Sequence, residues 1–387
     1  MDDYILIHYS EIYLKGHNRS YFESKLVENI RSAISDLDDH ERVKKILGRI
    51  LIKLKEGKFD KKEYKSRLRK VPGIANFSFC INSDQNIEEI KKAVYKKVAD
   101  KDFGSFGVNT NRANKDFSYD SQEINEIIGG HIDNNFDAHV DLDEPDLCVD
   151  IEIVRSFTFV YTHKVEGVGG LPVGSVGEVL SLMSSGIDSP VASWKMMRRG
   201  CKVSFCHFHS FPFTNKKAQI NVERIVEQLT NWQQESDLFL VNLNEIQKEI
   251  IKEVDGEYRL LLYRREMFRL AEKIAKQKDF KGLVTGESAG QVASQTLENM
   301  SVTSEAVSMP IYRPNIGSHK QEITDTAKKL KTYEISIEEV EDCCSYMVAD
   351  HPETKAELGK ILSLEKELDL ETKRKQAINN LEHKLIN

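Results

Sequence analysis

The chain has 387 residues, 40% of them hydrophobic and 30% charged, with a formal net charge of −7. That length exceeds one ordinary core and predicts two or three domains of a soluble globular protein. No apolar run is long enough to span a bilayer, and the opening "MDDYILIHYSEIYLKG" carries acids where a signal peptide needs bases, so neither a membrane nor an exported protein is expected. Six cysteines, few and unevenly spaced, form no disulfide framework and point to a reducing cytoplasm.

In chain order, "YILIHYS" reads as a strand. "NRSYFESKLVENIRSAISDL" follows with Phe22, Leu26, Ile30 and Ile34 at helical spacing and Ser20 as N-cap. "RVKKILGRILIKL" supplies strands, "KKEYKSRLRK" a basic helix and "VPGIANFSFCIN" a further strand, which makes a small α+β domain of residues 1–76. A second α+β domain, residues 77–165, holds the amphipathic helix "NIEEIKKAVYKKVAD", the strand "KDFGSFGVNTNR", the helix "SQEINEIIGGHI" and a hairpin of "DLCVDIEIV" with "SFTFVYTHK". Charge is spread unevenly. Arg42–Lys70 holds 13 Lys or Arg against 3 acids, whereas Phe117–Val154 has no Lys or Arg. On an acidic protein such a run is either a solvated face or a phosphate-binding surface.

A glycine-rich linker, residues 166–177, comes next, with five glycines and a proline between Gly167 and Gly177. It marks the main domain boundary. The rhythm then changes for residues 178–387. Strands "EVLSLM", "CKVSFCHFH", "LFLVNL" and "GLVTGES" alternate with helices "PVASWKMMRRG", "KKAQINVERIVEQLTNW", "EIQKEIIKEV" and "YRLLLYRREMFRLAEKIAKQ". Such alternation predicts a doubly wound parallel sheet. The charged tail from about Pro352 is expected to be helical.

Within this last domain "SSGIDSPVASW" joins a strand to a helix at the carboxyl edge of the sheet, where open α/β sheets bind ligands. Ser189 is a candidate helix cap and Pro190 suits the first turn. Free N–H groups, the helix dipole and the hydroxyls of Ser184, Ser185 and Ser189 favour an anion. No lysine follows the glycine, so this is not a Walker loop. Local physics leaves a phosphate loop and a plain tight turn both open.

The surrounding motifs carry a resemblance. "SSGIDS" resembles the SGGxDS loop of N-type ATP pyrophosphatases. "GVGGLPVGSVGEVLSLMSSGIDSPVASWKMMRRG", "HFHSFPFT", "LLYRREMFRLAE", "VTGESAGQVASQTLENM" and "RPNIGSHKQEI" match, in order, the family of ThiI-type tRNA 4-thiouridine synthetases. "EIYLKGHNR" resembles that family's N-terminal signature and Asp84–Lys164 its THUMP domain. The resemblance implies an α/β and α+β multidomain chain: a ferredoxin-like domain, a THUMP domain and a doubly wound PP-loop domain. It implies that the first two domains grip tRNA, with Lys15, Asn18 and Arg19 as further candidates beside the basic run, whose phosphate contacts would position the RNA without reading sequence.

The resemblance also implies a reaction. ATP adenylates the C4 oxygen of the uridine at position 8 of tRNA, releasing pyrophosphate, and sulfur then displaces AMP. Activation is needed because a carbonyl oxygen is a poor leaving group. By similarity Leu182, Met183, Ser184, Ser185, Gly186, Ser189, His207, Phe208, Arg264, Gly286 and Gln295 bind the nucleotide. Gly286 would allow close backbone approach. Asp188 would orient phosphates or hold Mg²⁺, and Lys320 would offset charge developing on them. Cys343 matches the family's persulfide-forming cysteine, and Cys344 beside it would resolve the intermediate. An iron–sulfur cluster delivering sulfide is the alternative. The chain ends at Asn387 without the rhodanese domain that some family members carry, so a role in making thiamine thiazole is not expected. The sulfur donor, a cysteine desulfurase persulfide or sulfide, stays open, and the family implies a homodimer. Cys201, Cys206, His207 and His209 fit no zinc spacing, and no metal site is read from them. Two rivals remain: a PP-loop enzyme with another acceptor, and a non-catalytic tRNA-binding protein. The second rests on Ser185, since a side chain there would be strained if the loop needed a positive φ.

Overall fold

The computed structural model describes residues 2–55, 57, 59–113, 116–340 and 349–387. The chain folds as two compact units, Met1–Leu171 and Pro172–Asn387, which part inside the glycine-rich stretch.

The first unit is α+β. Its strands are β1 (Tyr4–His8), β2 (His40–Ile46), β3 (Arg49–Leu54), β4 (Asn76–Ser83), β5 (Ser105–Arg112), β6 (His139–Val140), β7 (Leu147–Val154), β8 (Phe157–Tyr161) and β9 (Val165–Glu166). Its helices are α1 (Arg19–Ala33), α2 (Lys61–Leu68), α3 (Ile87–Val98) and α4 (Ser121–Asp133). The strands form one sheet in the order β2-β3-β1-β4-β8-β7-β5-β6, with β9 against β4. β4 is the joint: Asn76–Cys80 pairs with β1 and Ile81–Ser83 with β8. The two stretches read as separate α+β domains therefore share a strand.

α1 and α2 bury Phe22, Leu26, Ile30, Tyr64 and Leu68 against Ile5, Ile7, Ile50 and Ile52. α3 and α4 bury Ile90, Val94, Ile124 and Ile128 against Phe106, Val149 and Ile151. Asp60 and Asp120 cap α2 and α4, the latter with Glu123 bonding back to the Asp120 N–H. Ser20 does not cap α1. The helix already begins at Arg19, after Asn18, so Ser20 sits inside its first turn.

The second unit contains β10 (Gly177–Leu182), α5 (Asp188–Arg198), β11 (Cys201–His209), α6 (Lys217–Thr230), β12 (Ser236–Asn242), α7 (Asn244–Glu253), α8 (Gly256–Gln277) and β13 (Leu283–Val284). Then come α9 (Leu297–Ser304), β14 (Ile311–Tyr312), α10 (Lys320–Leu330), α11 (Tyr333–Ser336), α12 (Leu358–Lys366), α13 (Glu371–Asn379) and β15 (Glu382–Ile386). The sheet order is β14-β13-β10-β11-β12-β15, and every neighbour is parallel except β15.

Alternate residues of each strand enter different cores, as the period of two requires. Leu180, Phe208, Phe239, Val241 and Leu283 pack with α7, α8 and α13. Val179, Val203, Leu238, Leu240 and Val284 pack with α5, α6 and α10. Both faces of the sheet are thus covered.

The tail is not purely helical. After α12 and α13 the chain ends in β15, antiparallel on the edge strand β12. The ring of His383 stacks on Phe239 at 4.9 Å, and its Nε2 lies 2.7 Å from Asp237 Oδ1. The charge of "EHKLI" hides its strand pattern, because only the pairing edge makes the strand.

Candidate active site

β10 and β11 end side by side, at Leu182 and His209. Between β10 and α5 the loop Met183–Ile187 turns back across this edge. Met183 N donates to Cys206 O (2.8 Å), and His207 Nδ1 donates to Met183 O (2.9 Å). The loop is therefore fixed to the neighbouring strand before the helix begins.

Ser189 is the loop's internal tie rather than a cap. It is buried, and its Oγ accepts from Ser184 N (3.0 Å), lies 3.1 Å from Ser184 Oγ and contacts Met183 Sδ at 3.3 Å. α5 starts at Asp188 after Ile187 with no side-chain cap. Its first N–H groups and the positive end of its dipole then suit an anion. Ser185 is buried, and its φ is outside the left-handed region. A side chain at that position is accommodated without backbone strain, which corrects the concern raised from the sequence. Gly186 is not at positive φ either, and a Cβ there would meet only Ser184 Oγ, at 3.6 Å.

Gly286 differs. A Cβ on it would lie 2.6 Å from Ser189 N and 2.7 Å from Asp188 C. The end of β13 thus runs directly against the backbone of the α5 N-terminus, and only glycine lets it. The close approach expected of this glycine is to the loop itself.

Asp188 and Lys320 are 132 residues apart and form an ion pair, Nζ to Oδ1 3.1 Å and to Oδ2 3.2 Å. Lys320 is the first residue of α10, so two helix N-termini meet here. Gln291 Nε2 donates to Asp188 Oδ2 (3.2 Å), and Asn315 Nδ2 holds the Asp188 carbonyl (2.8 Å).

A cavity of about 160 Å³ opens at this edge. Leu182, Met183, Ser184, Asp188, Ser189, His207, Phe208, Arg264, Gly286 and Gln295 all line it, whereas Ser185 and Gly186 do not. The sequence reading missed Met267, Phe268, Thr285 and Glu287 in the same wall. Met267 and Phe268 stand three and four residues after Arg264 on α8, a helical spacing that could have found them.

Glu287 gave no sequence signal. It is buried, ion-paired to Arg264, 2.7 Å from Arg313 Nε and bonded by Thr285 Oγ1 (2.8 Å). Burial alone would raise its pKa, but the two guanidiniums outweigh that and hold it below the usual carboxylate range. Glu287 thereby aims Arg264 into the cleft. Cys206 and Cys201 are buried in opposite cores, and burial pushes both thiols up. Cys343 and Cys344 lie outside the described residues.

The RNA candidates belong to the first unit. Asn18 is exposed at the start of α1. Lys15 Nζ lies 4.7 Å over the Phe22 ring. Arg19 is held by Glu23 (3.0 Å) and Tyr9 Oη (3.0 Å) and lies over the Tyr13 ring at 4.6 Å. It lines a groove with Lys45, Arg49 and Arg155. Part of the basic run is already neutralised, since Arg49, Lys53, Lys61 and Arg67 all have carboxylate partners.

Comparison with known proteins fixes the family. Residues 174–370 match the family described as Thiamine biosynthesis protein (ThiI), residues 4–78 its ferredoxin-like domain and residues 84–163 the THUMP domain. The chain belongs to the ThiI family. A probable tRNA sulfurtransferase of Thermoanaerobacter sp. (strain X514) is 41% identical over 100% of both chains. One from Moorella thermoacetica is 37% identical over 98% of this chain and 96% of its own. A solved 4-thiouridine synthetase, in complex with RNA and with bound ATP, aligns over 100% of both chains at TM-score 0.90 and 35% identity. PH1313 from Pyrococcus horikoshii Ot3 shares the fold, at TM-score 0.66 and 24% identity over 85% of this chain and 99% of its own. No helix among the described residues is long and apolar enough to cross a membrane.

Proposed function

We propose that this protein is an ATP-dependent tRNA sulfurtransferase that adenylates uridine 8 of tRNA at its C4 oxygen and replaces that oxygen with sulfur, giving 4-thiouridine, AMP and pyrophosphate. The observation that carries this is the convergence, in one cleft, of an uncapped helix N-terminus, Asp188, which Lys320 pairs, and the Glu287-held Arg264. Full-length similarity to a 4-thiouridine synthetase that binds RNA and ATP supports the choice of substrates.

In this reading the adenosine lies along Leu182, Met183, His207 and Phe208, and the phosphates face the α5 N-terminus. Arg264 and Lys320 meet the charge that grows on the leaving pyrophosphate. Mg²⁺ fits the donor set through Asp188. A single carboxylate beside substrate phosphates is an ordinary magnesium environment, and the ion would screen charge between the phosphates. Cys343 carries the persulfide whose terminal sulfur attacks C4, and Cys344 then attacks the resulting disulfide, freeing the thiolated uridine. The sulfur reaches Cys343 by transfer of the outer sulfur of a desulfurase persulfide to the reduced thiol, or by attack of sulfide on the Cys343–Cys344 disulfide left by the preceding turnover, which frees the Cys344 thiolate. The protein works as a homodimer in the cytoplasm. Lys15, Asn18 and Arg19 contribute to tRNA binding.

The non-catalytic reading has lost its support, because Ser185 is not in a strained conformation. The test is incubation with unmodified tRNA, ATP, Mg²⁺ and a persulfide source. The near-ultraviolet band of 4-thiouridine is the expected outcome. Intact tRNA binding with neither that band nor pyrophosphate release would return the protein to the binder class.

A further inference from the structure

Beyond the cavity, the loop after β11 exposes two phenylalanines. Phe211 is 38% and Phe213 41% exposed, and they are the exposed phenylalanines among the described residues. They follow Phe208, which lines the ATP cleft, by three and five residues. Three residues of chain reach at most about 10 Å, so the backbone of Phe211 lies within about 10 Å of Phe208 in the cleft wall.

The loop is held, not loose. Phe213 N and Thr214 N both donate to Ser210 O (2.7 and 3.1 Å). Ser210 Oγ donates to Gln247 Oε1 (2.5 Å). Asn242 Nδ2 and Asn244 Nδ2 both donate to Phe211 O (2.9 and 2.6 Å). Side chains from β12 and α7 thus fix a backbone whose aromatic rings face solvent.

Cations attend both rings. Lys216 Nζ is 4.8 Å from the Phe211 centroid and Lys248 Nζ is 5.1 Å from that of Phe213, with Lys248 also paired to Glu245. Lys217 is exposed next to Lys216. Rigid exposed aromatic faces flanked by lysines are the chemistry that binds an unstacked nucleobase and its phosphate. A uridine whose C4 edge must meet the α-phosphate of ATP has to leave its own stack, and the vacated stacking has to be replaced nearby.

We propose that Phe211 and Phe213 form a stacking platform for a tRNA nucleobase extruded at the mouth of the adenylation cleft, with Lys216 and Lys217 on its phosphate. This rests on the reading of the cleft as a tRNA-modifying site, and one arm of the test is independent of that reading.

The full-length protein is irradiated with a tRNA transcript carrying 5-iodouridine in place of uridine, and cross-linked peptides are mapped. Adducts on Phe211 or Phe213 are expected. Adducts elsewhere in residues 172–387 with none on this loop would overturn the platform, whether or not the protein thiolates tRNA. In the second arm, single-turnover formation of 4-thiouridine is measured for Phe211→Ala/Phe213→Ala, Phe211→Leu/Phe213→Leu and Phe211→Tyr/Phe213→Tyr. The Ala and Leu pairs should lose roughly ten- to a hundred-fold, the Tyr pair less than about three-fold, and ATP affinity should hold within about two-fold in all. A Leu pair as fast as wild type would mean that bulk, not stacking, is what matters, and would overturn the proposal. Weakened ATP binding in the Tyr pair would do the same.

Discussion

Glu152 in the first unit and Glu287 in the second are built alike and serve different ends. Glu152 is buried with His8 Nε2 at 2.8 Å, Arg49 Nε at 2.5 Å and Tyr161 Oη at 2.6 Å. Burial opposes its charge, but His8, Arg49 and Tyr161 hold its pKa at about 2. Glu287 is buried between two arginines and a threonine. The Glu152 partners stand on β1, β3 and β8, so the carboxylate pins strands together. One Glu287 partner, Arg264, lines the cleft, so the carboxylate sets the direction of a guanidinium. A buried, ion-paired acid therefore says little about function until its partner is followed to a surface.

Removing each carboxylate's charge tests that difference most strongly. Glu287→Gln and Glu152→Gln each leave partly buried guanidiniums, of Arg264 and Arg313 or of Arg49, without a counter-charge, and thermal denaturation should show a loss of about 3 kcal/mol for both. Only Glu287→Gln should also raise the ATP dissociation constant, by about ten-fold or more in a nucleotide titration. Equal ATP affinity in the two variants would remove the distinction.

Acid titration separates them next. The folded pKa of Glu152 lies below its unfolded value of about 4.5. Its contribution, about 3 kcal/mol, is present above about pH 4.5 and lost as pH falls towards 2. Denaturant melts across that window should show a falling leg in wild type that Glu152→Gln largely lacks. A parallel decline in both would assign the leg to other groups.

A smaller effect concerns the two glycines around the PP-loop. Gly286→Ala drives a methyl into the α5 backbone and should destabilise by about 1–3 kcal/mol. Gly186→Ala meets only Ser184 Oγ, at the ordinary contact distance of 3.6 Å, and should stay within about 0.5 kcal/mol. Chemical denaturation compares them directly, and equal losses would mean that the loop tolerates neither.

Lys320→Ala should separate a small structural effect from a large chemical one. The pair with Asp188 is half exposed on the lysine side, so stability should change by less than about 1 kcal/mol. Pyrophosphate release should nevertheless fall about 100-fold. A pair that mattered only for folding would give the reverse.

Much of this was legible beforehand, and the reasons are local. Phe22, Leu26 and Ile30 announced α1 by spacing. β15 was hidden because its charges mask alternation, and the role of Ser189 was misread because the cap position falls on Ile187, two residues earlier. Met267 and Phe268 could have been found from Arg264. Glu287 could not, since its partners at 264 and 313 are remote in the chain.

By itself the sequence determined the alternation of strands and helices, the glycine-rich break, the loop at Ser184 and the kinship of its motifs, because periodicity, caps and turn residues act over a few positions. The tertiary structure alone decided that Asp188 meets Lys320, that Gly286 abuts the loop, that Glu287 directs Arg264 and that β4 joins two sheets into one. Those contacts span tens to more than a hundred residues, and only the packing of the sheets sets which distant side chains share a few ångströms.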